Sequence, residues 1–406
     1  MRGILWLLLL AGPAFAQTQI PAQFNHVDRL VRGVLTVPNQ AGPHPVVVIV
    51  PGSGANDRDG TAIIAGGYAP CLYPQLVGQT LRPYRDLGNA LVAKGFAVLR
   101  YDKLEFTYAN NLGPISFDKL WLPAASAIQW LKGRAEIDTT RIILLGHSEG
   151  SSIIPWLGQQ RSDVRAMISL AGARTPFDSV LARQLVDFAT QCGGNVAQAQ
   201  NEASQILAYF NLVRQAPPPA TVPPLFGVPA PVWRTYTQVT DSVAQRYNAA
   251  AKPALFIGLG ADVNVLPAEL TRFQNEVNIT NDFWLLPGIN HFLSTNSQAA
   301  FVPVIADTIV SWLSSQGLAA TVHDARVLRL TAYPNPVVDN VQINLPQALP
   351  QPQDWKLTDV QGRVLMQGSL QAGSTVWQAD LGNLLTGWYQ WQLVGPTSYQ
   401  AKLIKK

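Results

Sequence analysis

Charge is scarce in this chain. Of its 406 residues only 13% are Asp, Glu, Lys or Arg, about half the roughly 25% usual in soluble proteins. No long run of either sign occurs. That argues against a nucleic-acid binder, which concentrates Lys and Arg to neutralise phosphates. The net charge of +4 is thinly spread, and its densest cluster, Lys402 with Lys405 and Lys406, reads as a solvated end. Cysteine is scarcer still, with Cys71 and Cys192 alone. The lack of a CxxC or a Cys/His cluster argues against structural zinc. No apolar run reaches the ~20 residues that span a bilayer, so no transmembrane segment is expected. What the chain has in quantity is apolar side chain, 48%. That is enough for large packed cores and incompatible with a disordered chain. At roughly 150 residues per domain, the length holds two to three domains' worth of structure.

The first sixteen residues read as a removable export signal. Met1-Arg2 supply a positive start, Ile4 to Ala11 an apolar stretch, and Ala14-Phe15-Ala16 a small-residue cleavage site. Export leads to an oxidising compartment, where Cys71 and Cys192 could form a disulfide; whether they pair is left open by the sequence.

From Gln17 to about Leu313, short β-branched runs alternate with longer amphipathic stretches, the pattern of a parallel sheet with crossover helices. Val27–Val31 and Val34–Val37 read as a hairpin turning at Gly33. Pro45–Val50 reads as a central strand buried on both faces. Further strands are expected at 97–101, 141–145, 166–170, 254–259 and 283–286, and helices at 87–94, 119–132, 153–160, 268–277 and 302–314. About eighty residues separate the strands ending near Leu170 and starting at Ala254. An insertion of that length carries function more often than not. Its helical pattern, aromatics (Phe210, Phe226, Trp233, Tyr236) and proline cluster at 216–220 read as a cap that contacts substrate. Beyond Trp312 a short polar stretch leads to alternating strands with Gly, Asn and Pro turns, an all-β module of about eighty residues.

Gly146-His-Ser-Glu-Gly150 fits GxSxG and follows the strand at 141–145, with a helix pattern after it, which is the context the motif requires. A serine hydroxyl needs a base to take its proton. Of the five histidines, His26 and His44 precede the central strands, His147 lies inside the motif, and His323 falls in the polar stretch. His291, in a loop after the last strand, remains. An acid to orient it should lie between Ser148 and His291 in the chain, and Asp262, just after the strand at 254–259, is chosen over Asp241 and Asp282. For the oxyanion, the backbone N–H of Glu149 and that of Ser53 are assigned, with Gly54 as the alternative to Ser53. Asn56-Asp-Arg-Asp-Gly60 resembles part of a calcium loop but lacks the later bidentate Glu; a turn held by local Asp–Arg pairing is expected instead. No metal or organic cofactor is implied.

These motifs, with Leu99-Arg-Tyr-Asp-Lys103 and Gly260-Ala-Asp-Val-Asn-Val265, resemble the α/β-hydrolase superfamily, in particular its dienelactone-hydrolase-like and serine-aminopeptidase-like esterase branch. The resemblance implies a doubly wound, mostly parallel sheet with a helical cap. It also implies hydrolysis of an ester or acyl substrate by Ser148, His291 and Asp262. Two departures stand out: Pro51 replaces the usual His before the oxyanion Gly, and Leu104-Glu105 replace the Arg-Gly that often follows Asp-Lys. Tyr333-Pro-Asn-Pro336, Asp359-Val-Gln-Gly-Arg363, Leu385-Thr-Gly-Trp-Tyr389 and Lys402–Lys406 resemble the C-terminal sorting domain of Bacteroidetes type IX secretion. That implies handling by the secretion machinery and a secreted or surface-attached protein. The expected organisation is signal 1–16, α/β domain 17–316 with a cap at about 173–250, linker 317–328 and a sorting β-sandwich at 329–406. Two other readings stand beside an esterase. One is a serine peptidase, with Glu149 or cap carboxylates holding a substrate amine; the other is a non-catalytic surface protein. Trp355, Trp377, Trp388 and Trp391 would suit a carbohydrate-binding module, but alternating aromatics are more often core.

Overall fold

A computed structural model describes residues 17–215, 222–319, 328–349, 352–359, 363–394 and 399–406. The stretch read as an export signal (1–16), most of the stretch read as a linker (317–328) and the proline cluster at 216–220 lie outside the described residues. The chain divides into two compact units, residues 1–320 and 321–406.

The first unit is built on eight strands: β1 (Gln17–His26), β2 (Arg29–Pro38), β3 (His44–Val50), β4 (Ala97–Tyr101), β5 (Ile137–His147), β6 (Val164–Leu170), β7 (Ala254–Leu259) and β8 (Asn281–Leu286). They lie in the order β1-β2-β4-β3-β5-β6-β7-β8, parallel from β4 onward, with the β1–β2 hairpin antiparallel at one edge. This is the α/β-hydrolase fold. Strand β3 shows why a continuous apolar run is needed at the centre: Val46, Val48 and Val50 face one core, Val47 and Ile49 the other. Helices Pro123–Leu131 and Gly150–Gln160 bury their apolar faces in the first core, Pro83–Val92 and Val304–Ser315 in the second.

The N-terminal hairpin does not turn at Gly33. The chain reverses at Val27-Asp28, with Val27 at φ 53°, and Gly33 sits inside β2, where an added Cβ would lie 2.5 Å from the Arg100 carbonyl oxygen of β4. The glycine permits close approach of a neighbouring strand, the other reason for glycine in a sheet. The pattern at 119–132 resolves into two helices, Phe117–Trp121 and Pro123–Leu131, because proline cannot continue a helix from its own preceding turn. Arg58 does not pair locally either. It forks onto Asp102 (2.5 and 3.0 Å), while Asp59 pairs with Arg100 and Asp57 accepts from the Thr61 backbone and hydroxyl.

Between β6 and β7 the chain forms helices Phe177–Gln191, Val196–Val213, Ala230–Thr240 and Val243–Ala250. Arg214 ties the first to the third by pairing with Asp178 and Asp241, both at 2.7 Å. Cys71 and Cys192 form a disulfide that fastens the end of the first helix to the short helix Ala69–Leu72.

In the second unit, a five-stranded sheet contains Gln353–Asp359, Gly387–Val394 and Tyr399–Lys405, and a three-stranded sheet contains Asn340–Asn344 and Val376–Asp380. Trp377 and Trp391 are buried with Leu357, Ile343 and Leu403. Trp355 is partly buried against Trp377, and the exposed Trp388 carries the Lys402 ammonium 3.8 Å from its ring centroid.

Candidate active site

Ser148 sits between the end of β5 and helix Gly150–Gln160 with φ 54°, a left-handed conformation that costs a non-glycine residue about 1–3 kcal/mol. Its neighbours explain the motif. A Cβ on Gly146 would lie 2.4 Å from the Gly150 carbonyl carbon, and one on Gly150 would lie 2.2 Å from the Val50 oxygen. Only glycine fits either position. The Ser148 N–H is taken by the Leu170 carbonyl at 3.0 Å, so it cannot serve an oxyanion.

The loop after β7 carries Asp262, whose side chain is completely buried. Its Oδ1 accepts the N–H groups of Asn264 (2.8 Å) and Val265 (2.9 Å), and its Oδ2 lies 2.7 Å from His291 Nδ1. His291 is held by a loop wound round the buried Asn290, whose Oδ1 accepts from the Phe292 and Ser294 N–H groups and the Ser294 hydroxyl. The β7 and β8 loops are laced together, Gly260 N–H to Leu286 and Ala261 N–H to Ile289.

His147 connects this pair to the serine turn. It is buried, its Nε2 lies 3.1 Å from the His291 carbonyl, its Nδ1 lies 3.1 Å from the Tyr84 hydroxyl, and its ring is 4.7 Å from that of His291. Burial, with His291 nearby, holds its pKa well below the ordinary histidine range. At neutral pH it is a neutral strut. The Tyr84 hydroxyl accepts the Gly52 N–H at 2.9 Å, which extends the strut to the loop after β3.

A cavity of about 60 Å³ opens at Ser148, lined also by Ser53, Glu149, Ser152, Thr175 and Tyr236. A larger one of about 470 Å³ adjoins it, sharing Ser53, Glu149 and Phe177; Trp121, Trp233, Tyr108 and Phe226 line its aromatic walls. Gly54 lines only the larger cavity. Among the described residues, no partner accepts the backbone N–H of Ser53 or of Glu149. Of the four cap aromatics, Trp233, Tyr236 and Phe226 reach a cavity. Phe210 does not: it is completely buried behind Phe177 and Trp233, on the core-facing side of its helix. Phe177, Trp121 and Tyr84 had no signal in the sequence that set them apart from core aromatics.

Residues 331–406 match the family model of the secretion system C-terminal sorting domain. The C-terminal unit is a sorting domain. A sorting domain of this kind marks a secreted or cell-surface-attached protein, and among the described residues no helix is long and apolar enough to cross a membrane. The chain is also similar to esterase EstD of Thermotoga maritima, 27% identical over 279 residues that make up 67% of this chain and 61% of that esterase. The match thus spans less than two thirds of the esterase's own length. Among solved structures, the chain is similar to the esterase domain of a Rhodothermus marinus protein (15% identity, 73% of this chain and 98% of that one, TM-score 0.46). It is also similar to Est1E of Butyrivibrio proteoclasticus (12% identity, 73% and 98%, TM-score 0.45).

Proposed function

We propose that the first unit is a carboxylic ester hydrolase working through an acyl-enzyme. The observation that carries this reading is the 2.7 Å bond from His291 Nδ1 to buried Asp262, with the His291 ring 4.7 Å from that of His147, the residue before a serine held in a left-handed turn. With Nδ1–H donated to Asp262, His291 Nε2 is left as an acceptor. Ser148 Oγ attacks the acyl carbon and passes its proton to Nε2. The carbonyl oxygen becomes an oxyanion that accepts from the N–H groups of Ser53 and Glu149. His291 then protonates the leaving alcohol, and water repeats the sequence on the acyl-enzyme. Ser53 is preferred over Gly54 because it lines the serine's own cavity. EstD's name as an esterase supports the same chemistry.

The two cavities suggest a substrate with one small arm and one bulky apolar arm, the latter lying among Trp121, Phe177 and Trp233. A peptidase would need a free carboxylate for the substrate amine, and Glu149 is engaged by Lys103 at 3.6 Å. The signal at 1–16 and the sorting domain together suggest export before the enzyme acts. A panel of p-nitrophenyl and methyl esters beside aminoacyl-anilides tests the reading. Turnover of esters with Ser148-dependent kinetics is expected; turnover of anilides alone would replace it with the peptidase.

A further inference from the structure

Lys103 is a buried cation that the reaction above does not use. Its residue is 5% exposed. Its Nζ donates to the Gly52 carbonyl at 3.3 Å and pairs with Glu105 at 3.4 Å and Glu149 at 3.6 Å. Burial works against the ammonium, but the two carboxylates outweigh it and lift Lys103 above the ordinary lysine range, so it is charged at neutral pH. Its own backbone N–H bonds the Asn56 carbonyl at 2.9 Å. The Asn56 side chain in turn donates to the Gly52 oxygen at 3.1 Å and the Ser53 oxygen at 2.8 Å.

The Gly52 carbonyl and the Ser53 N–H belong to one peptide group. In a trans peptide they point in opposite directions within a plane. Two donors on the carbonyl therefore fix the direction in which the N–H points, and a charged donor polarises the group so that its N–H donates more strongly. Glu149, the other end of the Lys103 contacts, supplies the second N–H. We propose that Lys103 is a positioning residue that orients and polarises the Gly52–Ser53 peptide and braces it against Glu149, setting the strength of the oxyanion hole. This rests on the ester-hydrolase reading. Glu105, which departs from the pattern noted in the sequence, shares with Glu149 the offsetting of the buried charge here.

The test compares wild type with Lys103→Met, Lys103→Arg, Asn56→Ala and the double variant Lys103→Met/Glu105→Gln, which removes one charge of each sign and so keeps the cluster's net charge. The readouts are kcat and KM on a p-nitrophenyl ester, and inhibition constants for an alkyl boronic acid, which forms a tetrahedral adduct, and for the product carboxylate. Removing a whole oxyanion donor costs about 10²–10³ in kcat; misdirecting one should cost about 10- to 100-fold. The expected result is that loss in kcat for Lys103→Met and for the double variant, KM within about threefold, boronate affinity falling in step with kcat and product affinity unchanged. Lys103→Arg should recover part of the loss, and Asn56→Ala should show a smaller version of it. A double variant that melts like wild type and keeps kcat within twofold would overturn the proposal. So would equal losses in boronate and product affinity, which would mean general disruption. A wild type that turns over no ester would instead overturn the ester-hydrolase reading on which it rests.

Discussion

Asparagine in place of Asp262 is the substitution whose outcome the site geometry dictates most closely. The side chain is completely buried, and its Oδ1 faces two backbone donors, the N–H groups of Asn264 and Val265. An amide there can satisfy them only through its oxygen, since its NH₂ would leave both donors unpaired at about 1–3 kcal/mol. The NH₂ must then face His291 Nδ1 and donate to it. Nδ1 becomes an acceptor, the ring proton moves to Nε2, and the base that should take the Ser148 proton is already protonated. The expected loss in kcat is about 10⁴-fold for such a tautomer reversal, about 5.4 kcal/mol at 1.36 kcal/mol per decade. KM and the melting temperature should change little, because shape and backbone bonds survive. Initial rates on a p-nitrophenyl ester, beside thermal melts, make the measurement. A loss under tenfold in a folded Asp262→Asn protein would refute the reasoning.

Burial holds the imidazoles of His26, His44 and His147 below the ordinary histidine range. The unfolded chain binds protons near pH 6.5 that the fold refuses, so stability should fall as pH drops from 7.5 to 5.5, by at most about 1.4 kcal/mol per pH unit for each histidine. A melting temperature that rises over that interval would contradict this. Gly33→Ala puts a methyl 2.5 Å from the Arg100 oxygen and should cost about 1–3 kcal/mol in urea melts with kcat nearly unchanged; a neutral melt would mean the strands can separate. Deleting residues 331–406 should leave ester hydrolysis by the purified protein intact while stopping export in a host with the matching secretion system. Loss of activity in the purified truncation would tie the two units together functionally.

The glycines of the Ser148 turn were legible in the sequence because sterics permit nothing else: Gly146 and Gly150 each face backbone within 2.4 Å of where a Cβ would stand. The central strands were legible for a similar reason, since β3 has an apolar neighbour on both faces. The turn of the first hairpin was not, because Val27 adopts a positive φ that its residue type disfavours, while Gly33 serves the close approach of a paired neighbouring strand that only the folded sheet brings there. His291 emerged by elimination and by its place in the chain, in a loop after the last strand. The bracing roles of His147, Tyr84 and Lys103 left no local trace, because His147 works through Tyr84 and His291, 63 and 144 residues away along the chain, and Lys103 reaches Gly52, 51 residues away. Phe210 misled because an aromatic in a cap reads the same whether it faces the cavity or the core.

Covalent capture asks of the protein itself whether Ser148 is the nucleophile. Intact-mass measurement after incubation with an alkyl p-nitrophenyl phosphonate should show one adduct per chain, mapped by peptide digestion to Ser148 and formed in step with loss of ester hydrolysis. Ser148→Ala should form no adduct and hydrolyse no ester while melting like wild type. Undiminished turnover by Ser148→Ala, or an adduct mapped to another residue, would contradict the account.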